Sequence, residues 1–356
     1  VILHGRVVDQ AIDTGERAAF LKELVVTSGA VPLAMVRKRA VAYAAPCAAH
    51  YQRETRAPIL LIHGFGQNRH AWHLPSRSMA NHLAAAGYDV FNLDLRGHGR
   101  SRHLGARRSR GVEDYVLEDL PGAVEEVRSL SGGRPVFLVG HSLGGLVSYA
   151  AAPALGGAIA GIVTLGSPYH FTRGSRSLGA IALFFSALAA AHVPHANAVF
   201  PVHRLGGVMR ALQGFAESPL YPIPLRGWHR GSLEPHVLDE HFRLAFDRAG
   251  MGEMANMFAW AKERQFGGRA SSWCHAFEKL TLPLLVIAGQ NDDLAPPASV
   301  KPAFTRSHSP DKEYRTMPLG HIDLLVGRDA PLMTWPLVRE WIGRRAPPAG
   351  PSPEEP

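Results

Sequence analysis

The chain has 356 residues, 46% of them hydrophobic, with 38 Lys and Arg against 30 Asp and Glu and a formal net charge of +8. That composition supports a large packed core and excludes a disordered chain. The basic residues are dispersed, and their densest group (Arg96, Arg100, Arg102, Arg107, Arg108, Arg110) lies in a Gly-rich loop without interleaved aromatics, so a solvated loop is expected there and no nucleic-acid partner.

In chain order, residues 9–24 are expected as a short helix, and Leu24–Thr27 and Leu33–Arg39 as antiparallel opening strands. A regular alternation follows: strand Ile59–His63, helix Trp72–Ala86, strand Asp89–Asp94, helix Glu113–Leu130, strand Val136–Gly140, helix Leu143–Ala152 and strand Ala160–Leu165. Strands separated by crossover helices pair in parallel, so the expected fold class is α/β with a mostly parallel, doubly wound sheet. The alternation stops from about Tyr169 to Glu278. It resumes with strand Leu284–Gly289, a helix near Pro297–Phe304, a strand around Tyr314–Met317 and a helix over Ala330–Arg344.

These breaks divide the chain into a core (1–169 and 279–345), a helical cap or lid insertion (170–278) and a Pro-rich disordered tail (346–356). From Tyr169 to Ala216 the insertion has no Asp or Glu and is rich in apolar residues, among them Phe184, Phe185, Leu188, Val193, Val208 and Met209. Such a segment suits a lid over an apolar pocket, contact with a lipid interface, or simply a helical cap packed on the core. No stretch reaches the roughly 18–20 apolar residues of a membrane span; the nearest, Leu178–Val193, is interrupted by Ser186 and His192. Only Cys47 and Cys274 occur, which allows at most one bridge and no zinc finger. The chain begins at Val1 rather than Met, which leaves a removed leader open, and the compartment is not legible.

The segment VFLVGHSLGG carries the chemistry. Ser142 stands where a short buried strand turns into a helix, flanked by Gly140, Gly144 and Gly145, and its neighbours lack β-carbons because a serine on so sharp a turn takes a strained conformation. A phosphate-cradling loop is the bland alternative, but the P-loop Lys and the dinucleotide glycine spacing are missing. A serine hydroxyl needs a base, and the base an orienting acid. In this architecture they follow in the order Ser, acid, His, each beyond a later strand. Asp292 and Asp293 follow strand 284–289, and His321 follows strand 314–317. The spacing from Gly289 to Pro296 favours Asp292 as the acid. The amides of Phe65, in Ile62-His63-Gly64-Phe65-Gly66, and of Leu143 are the expected oxyanion donors. His141 fills the variable slot before Ser142. His70, His73, His192, His195 and His203 form no metal motif, so neither metal nor cofactor is expected.

With these residues in place, the chain resembles the α/β-hydrolase superfamily over nearly all of 23–345 outside the insertion, in the segments LLIHGFGQNRHAW, YDVFNLDLRGHGRSR, VFLVGHSLGG, LLVIAGQNDDLAPP and PLGHIDLLVGRDAP. The last is similar to the histidine segment of the acid lipases. The resemblance implies hydrolysis of carboxylic esters, small or lipid, with Ser142 as nucleophile, His321 as base then acid, Asp292 as orienter, and the Phe65 and Leu143 amides on the oxyanion. Acyl transfer or thioester cleavage would use the same residues. A non-catalytic binding protein of this fold is the reading from another class.

Overall fold

The computed structural model describes residues 1–42, 51–52, 55–171, 173–175, 199–200, 202–211, 213–218, 226–263, 266–268 and 271–346. The expected helix at 9–24 is instead a long hairpin: β1 (Ile2–Asp13) pairs antiparallel with β2 (Glu16–Val26) around Gly15, at φ 78°. A left-handed glycine between two long runs closes a reversal and ends any helix. β2 also pairs with β3 (Ala34–Ala42), so it is bonded along both edges, and this tertiary pairing overrides helical propensity.

Short β4 (Tyr51–Gln52) adds to β3, and the sheet then runs through β5 (Pro58–Ile62), β6 (Asp89–Leu93), β7 (Val136–His141), β8 (Ile159–Leu165), β11 (Leu284–Gly289) and β12 (Lys312–Met317). Its spatial order is β1-β2-β3-β6-β5-β7-β8-β11-β12, and every pairing from β6 to β12 is parallel. Every residue of β5, β6, β7 and β11 is buried, as a parallel sheet covered on both faces requires. Alternate side chains serve the two faces. Ile59, Leu61, Phe137 and Val139 join Trp335 and Trp341 on one, while Leu60, Ile62, Leu138 and Val286 join Val124, Val147 and Tyr149 on the other.

Two expected helices are broken for identifiable reasons. Over 72–86 only α1 (Met79–Ala85) forms, because Pro75 precedes it and the Ser78 hydroxyl accepts the Asn81 N–H as its cap. Over 113–130, α2 (Leu120–Leu130) is preceded by a wide five-residue turn, Tyr115–Asp119, where Pro121 has no N–H to give. The solvated-loop expectation fails at Arg96. Its guanidinium is buried, bonded to Asp119 (2.5 Å) and Glu118 (2.7 Å), and so pins the loop to the start of α2.

Between β8 and β11 the chain forms helices Val202–Ala211, Pro235–Leu244, Met251–Glu263 and Trp273–Glu278, with a two-strand pairing of β9 (Val199–Phe200) and β10 (Ala249–Gly250). Trp228, Val237, Leu238 and Phe242 pack into the same apolar cluster as one sheet face. Phe184, Phe185, Leu188 and Val193, Cys47, and the tail from 347 onward lie outside the described residues. Cys274 is a buried free thiol whose sulfur lies 2.7 Å from the Tyr169 hydroxyl.

Candidate active site

Ser142 ends β7 and opens α3 (Leu143–Leu155) at φ 51° and ψ −117°, the one non-glycine residue with positive φ among the described residues. A backbone held there costs about 1–3 kcal/mol unless its surroundings fix it. Here they do: the Ser142 amide donates to the Leu165 carbonyl (2.9 Å), and its carbonyl accepts from the amides of Gly145 (3.1 Å) and Leu146 (3.4 Å). The flanking glycines are required by space. A β-carbon on Gly140 would stand 2.6 Å from the Gly144 carbonyl group, and one on Gly144 would overlap the Ile62 carbonyl oxygen. Gly144→Ala is therefore expected to destabilise the chain by about 3 kcal/mol or more, read from denaturant midpoints, because backbone rather than a flexible side chain has to move.

Asp292 and His321 meet as the chain order predicts. His321 Nδ1 donates to Asp292 Oδ2 (2.7 Å), and Asp292 Oδ1 accepts the amides of Leu294 (2.8 Å) and Ala295 (2.7 Å). Asp292 is buried and Asp293 is exposed, so the loop turns the expected member of the pair inward. Gly166 lies beside this pair: a β-carbon there would stand 3.1 Å from His321 Nδ1 and 3.2 Å from Asp292 Oδ2. Gly166 directly follows Leu165, the acceptor of the Ser142 amide, and the ring of His141 lies 4.5 Å from that of His321. All three side chains thus belong to one end of the sheet. The Ser142 hydroxyl makes no hydrogen bond to His321 as it stands, and such bonds commonly tighten only when substrate is bound.

Phe65 and Leu143 line one narrow crevice together with Gly64, Gly66 and Gly250, and neither amide donates to a protein acceptor among the described residues. A β-carbon on Gly64 would lie 3.1 Å from Ser142 Cβ, which brings this loop against the serine.

Three supporting side chains escaped the sequence reading. His141 is buried, and its Nε2 donates to the His321 carbonyl (3.2 Å); burial first, then the neighbouring His321, holds its pKa well below the usual histidine range, so the ring is neutral. His63 links the two loops that follow β5 and β6, its Nδ1 donating to the Gly64 carbonyl (2.9 Å) and its Nε2 accepting the Leu95 amide (3.2 Å), a pattern that requires the neutral ring which burial also favours. Asp323 Oδ2 accepts the amides of Gly320 (2.8 Å) and His229 (2.7 Å), tying the His321 loop to the segment beyond β8. Only the Asp two residues after His321 hints at this in the sequence, since its partner His229 is remote along the chain.

Burial pushes the Asp323 carboxyl up to about 6, against the two amides that favour its charge. A raised folded-state value means that the group favours the fold below about pH 4, the unfolded carboxyl range, and that this contribution is lost as pH rises through about 6. Asp323→Asn should flatten the fall in stability across that window, measured by unfolding at a series of pH values. Asp323→Ala should cost about 1–3 kcal/mol at neutral pH by stranding the buried Gly320 amide and releasing the part-buried His229 amide, and should lower activity through the His321 loop.

A cavity of about 700 Å³ adjoins the crevice and shares His98, Ala249, Gly250 and Glu253 with it. Among the described residues its wall carries Arg102, Arg108, Arg243 and Arg248 beside Asp247.

Residues 57–197 match the family model described as alpha/beta hydrolase fold. Over 96 residues the chain is 41% identical to the monoglyceride lipase of Saccharomyces cerevisiae, covering 26% of this chain and 28% of that one. It is 27% identical over 275 residues to the monoacylglycerol lipase of Mycolicibacterium smegmatis, covering 74% of this chain and 80% of that one. The chain spans about a third of the length of the curated relatives that it matches at more than 35% identity. Among solved structures, the monoacylglycerol lipase of Paleococcus ferrophilus superposes with a TM-score of 0.57 at 17% identity, covering 88% of this chain and 99% of that one. The matched segment, the sheet order and the superposition together show that this chain has the alpha/beta hydrolase fold.

Proposed function

We propose that the chain is a serine hydrolase that cleaves carboxylic esters with apolar acyl groups. The observation that carries this reading is the buried Asp292–His321 hydrogen bond beside a serine held at positive φ. Ser142 Oγ attacks the ester carbonyl carbon and passes its proton to His321 Nε2, while Nδ1–H stays bonded to Asp292. The developing oxyanion is met by the amides of Phe65 and Leu143, each such donor being worth about 10²–10³ in turnover. The alcohol leaves with the proton from Nε2, and the acyl group remains on Ser142. Water, deprotonated by the same nitrogen, then releases the acid and restores the hydroxyl. The monoglyceride and monoacylglycerol lipases among the relatives support an ester substrate with an aliphatic chain.

In this reading residues 1–169 and 279–345 form the catalytic core, and residues 170–278 a cap through which lipid is approached. The exposed Val208 and Phe215 on its helices favour contact with an apolar surface. The test of the chemistry is labelling by a fluorophosphonate probe: it should tag Ser142 in the intact chain and fail in Ser142→Ala. Folded protein that resists the probe would sink the proposal. A series of ester chain lengths measured across the solubility limit tests the cap, since a rate jump at the interface is the expected result for a lid that opens on lipid.

A further inference from the structure

A second cavity, of about 270 Å³, opens on the hairpin side of the sheet and is lined by cations. The strand register places them side by side: Arg6 on β1 stands opposite Lys22 on β2, and Lys22 stands opposite Lys38 on β3. Like charges directly opposite on neighbouring strands repel, and here three occur in one row. Arg69 and Arg100, from the loops that follow β5 and β6, add to the same wall.

Little carboxylate reaches these groups. Glu23 lines the cavity but is committed to Arg37 (3.4 Å) and Arg39 (2.9 Å), and Asp94 holds Arg69. Among the described residues Arg6, Lys22, Lys38 and Arg100 have no ion-pair partner. Lys38 is the extreme case. It is only 2% exposed, its ammonium donates to Asn81 Oδ1 (2.6 Å) and lies 3.3 Å from the His73 ring, and burial together with Lys22 and Arg69 holds its pKa well below the lysine range. Burial also lowers His70, to about 4, so that ring is neutral and adds no charge of its own near pH 7. Asn92, whose Oδ1 is buried without a donor, lines the same cavity and offers an acceptor to a hydroxyl.

The geometry points to a binding site for a phosphoryl group bearing two or more negative charges, seated among Arg6, Lys22, Lys38 and Arg100. A buried ammonium with no counter-ion is costly, and an anion that arrives from solvent removes that cost while relieving the row of repulsions. Guanidinium and ammonium donors converging from three strands and a loop suit a tetrahedral oxyanion better than a planar carboxylate, which one guanidinium satisfies alone. The site is independent of the ester chemistry: none of its residues belongs to the Ser142, His321 and Asp292 set.

The test is the thermal midpoint of the intact chain in pyrophosphate against sodium chloride at matched ionic strength. Pyrophosphate at about a hundred times its Kd should raise the midpoint by about 4 °C. Arg6 and Arg100 are exposed, so the double variant Arg6→Gln, Arg100→Gln should fold and lose most of that rise. Lys38→Met, with the buried charge removed, should raise the midpoint in chloride and respond less to pyrophosphate. Equal midpoints in the two salts, or an undiminished pyrophosphate response in the double variant, would overturn the site. Co-sedimentation with phosphatidylcholine vesicles containing about 20% phosphatidic acid separates the sources of the phosphoryl group. Pelleting that the double variant loses assigns a lipid headgroup, and a pyrophosphate response without pelleting assigns a soluble phosphate.

Discussion

Ser142→Ala should lower turnover on a p-nitrophenyl ester by about 10⁶, the scale observed when a serine triad loses its nucleophile, while leaving the fold intact. The residual rate should come from binding and the Phe65 and Leu143 amides, which the substitution leaves in place. Ser142→Gly should be equally inactive yet more stable than the parent. Glycine reaches φ 51° without the clash of a β-carbon, so part of the strain of about 1–3 kcal/mol is relieved and the thermal midpoint rises by a few degrees. The pair of variants separates chemistry from strain. An alanine variant that kept near-parental activity would remove Ser142 from the mechanism, and a glycine variant less stable than the parent would show that the elbow is not strained.

The parts of this molecule that repeat a local rule were legible. Leu284–Gly289 has the same bounds as read from the sequence, because a short apolar run between proline and a polar turn has no other stable use in an α/β chain. The meeting of Asp292 with His321 was legible because the topology sends each loop to the same end of a parallel sheet. Long-range partnership was not legible. The β1–β2 hairpin depends on β3 for its outer bonds, Arg96 depends on Asp119 to be buried, and the carbonyl that His141 serves lies 180 positions away. No window of sequence contains those pairs. The cavity beside the crevice escaped for the same reason, since its arginines come from the loop at 96–108 and from 243–248, segments that only the fold brings together.

Asp292→Asn should cost about 10⁴ in turnover, whereas Asp293→Asn should stay within a few-fold of the parent. The argument rests on two backbone amides. Asp292 Oδ1 accepts from Leu294 and Ala295, so an asparagine there must keep its carbonyl oxygen on that side and turn its NH₂ group toward His321. An NH₂ donor facing Nδ1 makes that nitrogen the acceptor and moves the ring proton to Nε2, the nitrogen that has to receive the serine proton. The ring would remain in position in the wrong tautomer, a defect that costs about 10⁴ in serine-protease triads. Asp293 is exposed and makes no bond to His321, so its amide variant has no route to the reaction. Steady-state rates on one soluble ester decide the matter. If the Asp293 variant proved the weaker enzyme, the acid would have been assigned to the wrong neighbour; if both were near-normal, His321 would be acting without an orienting carboxylate.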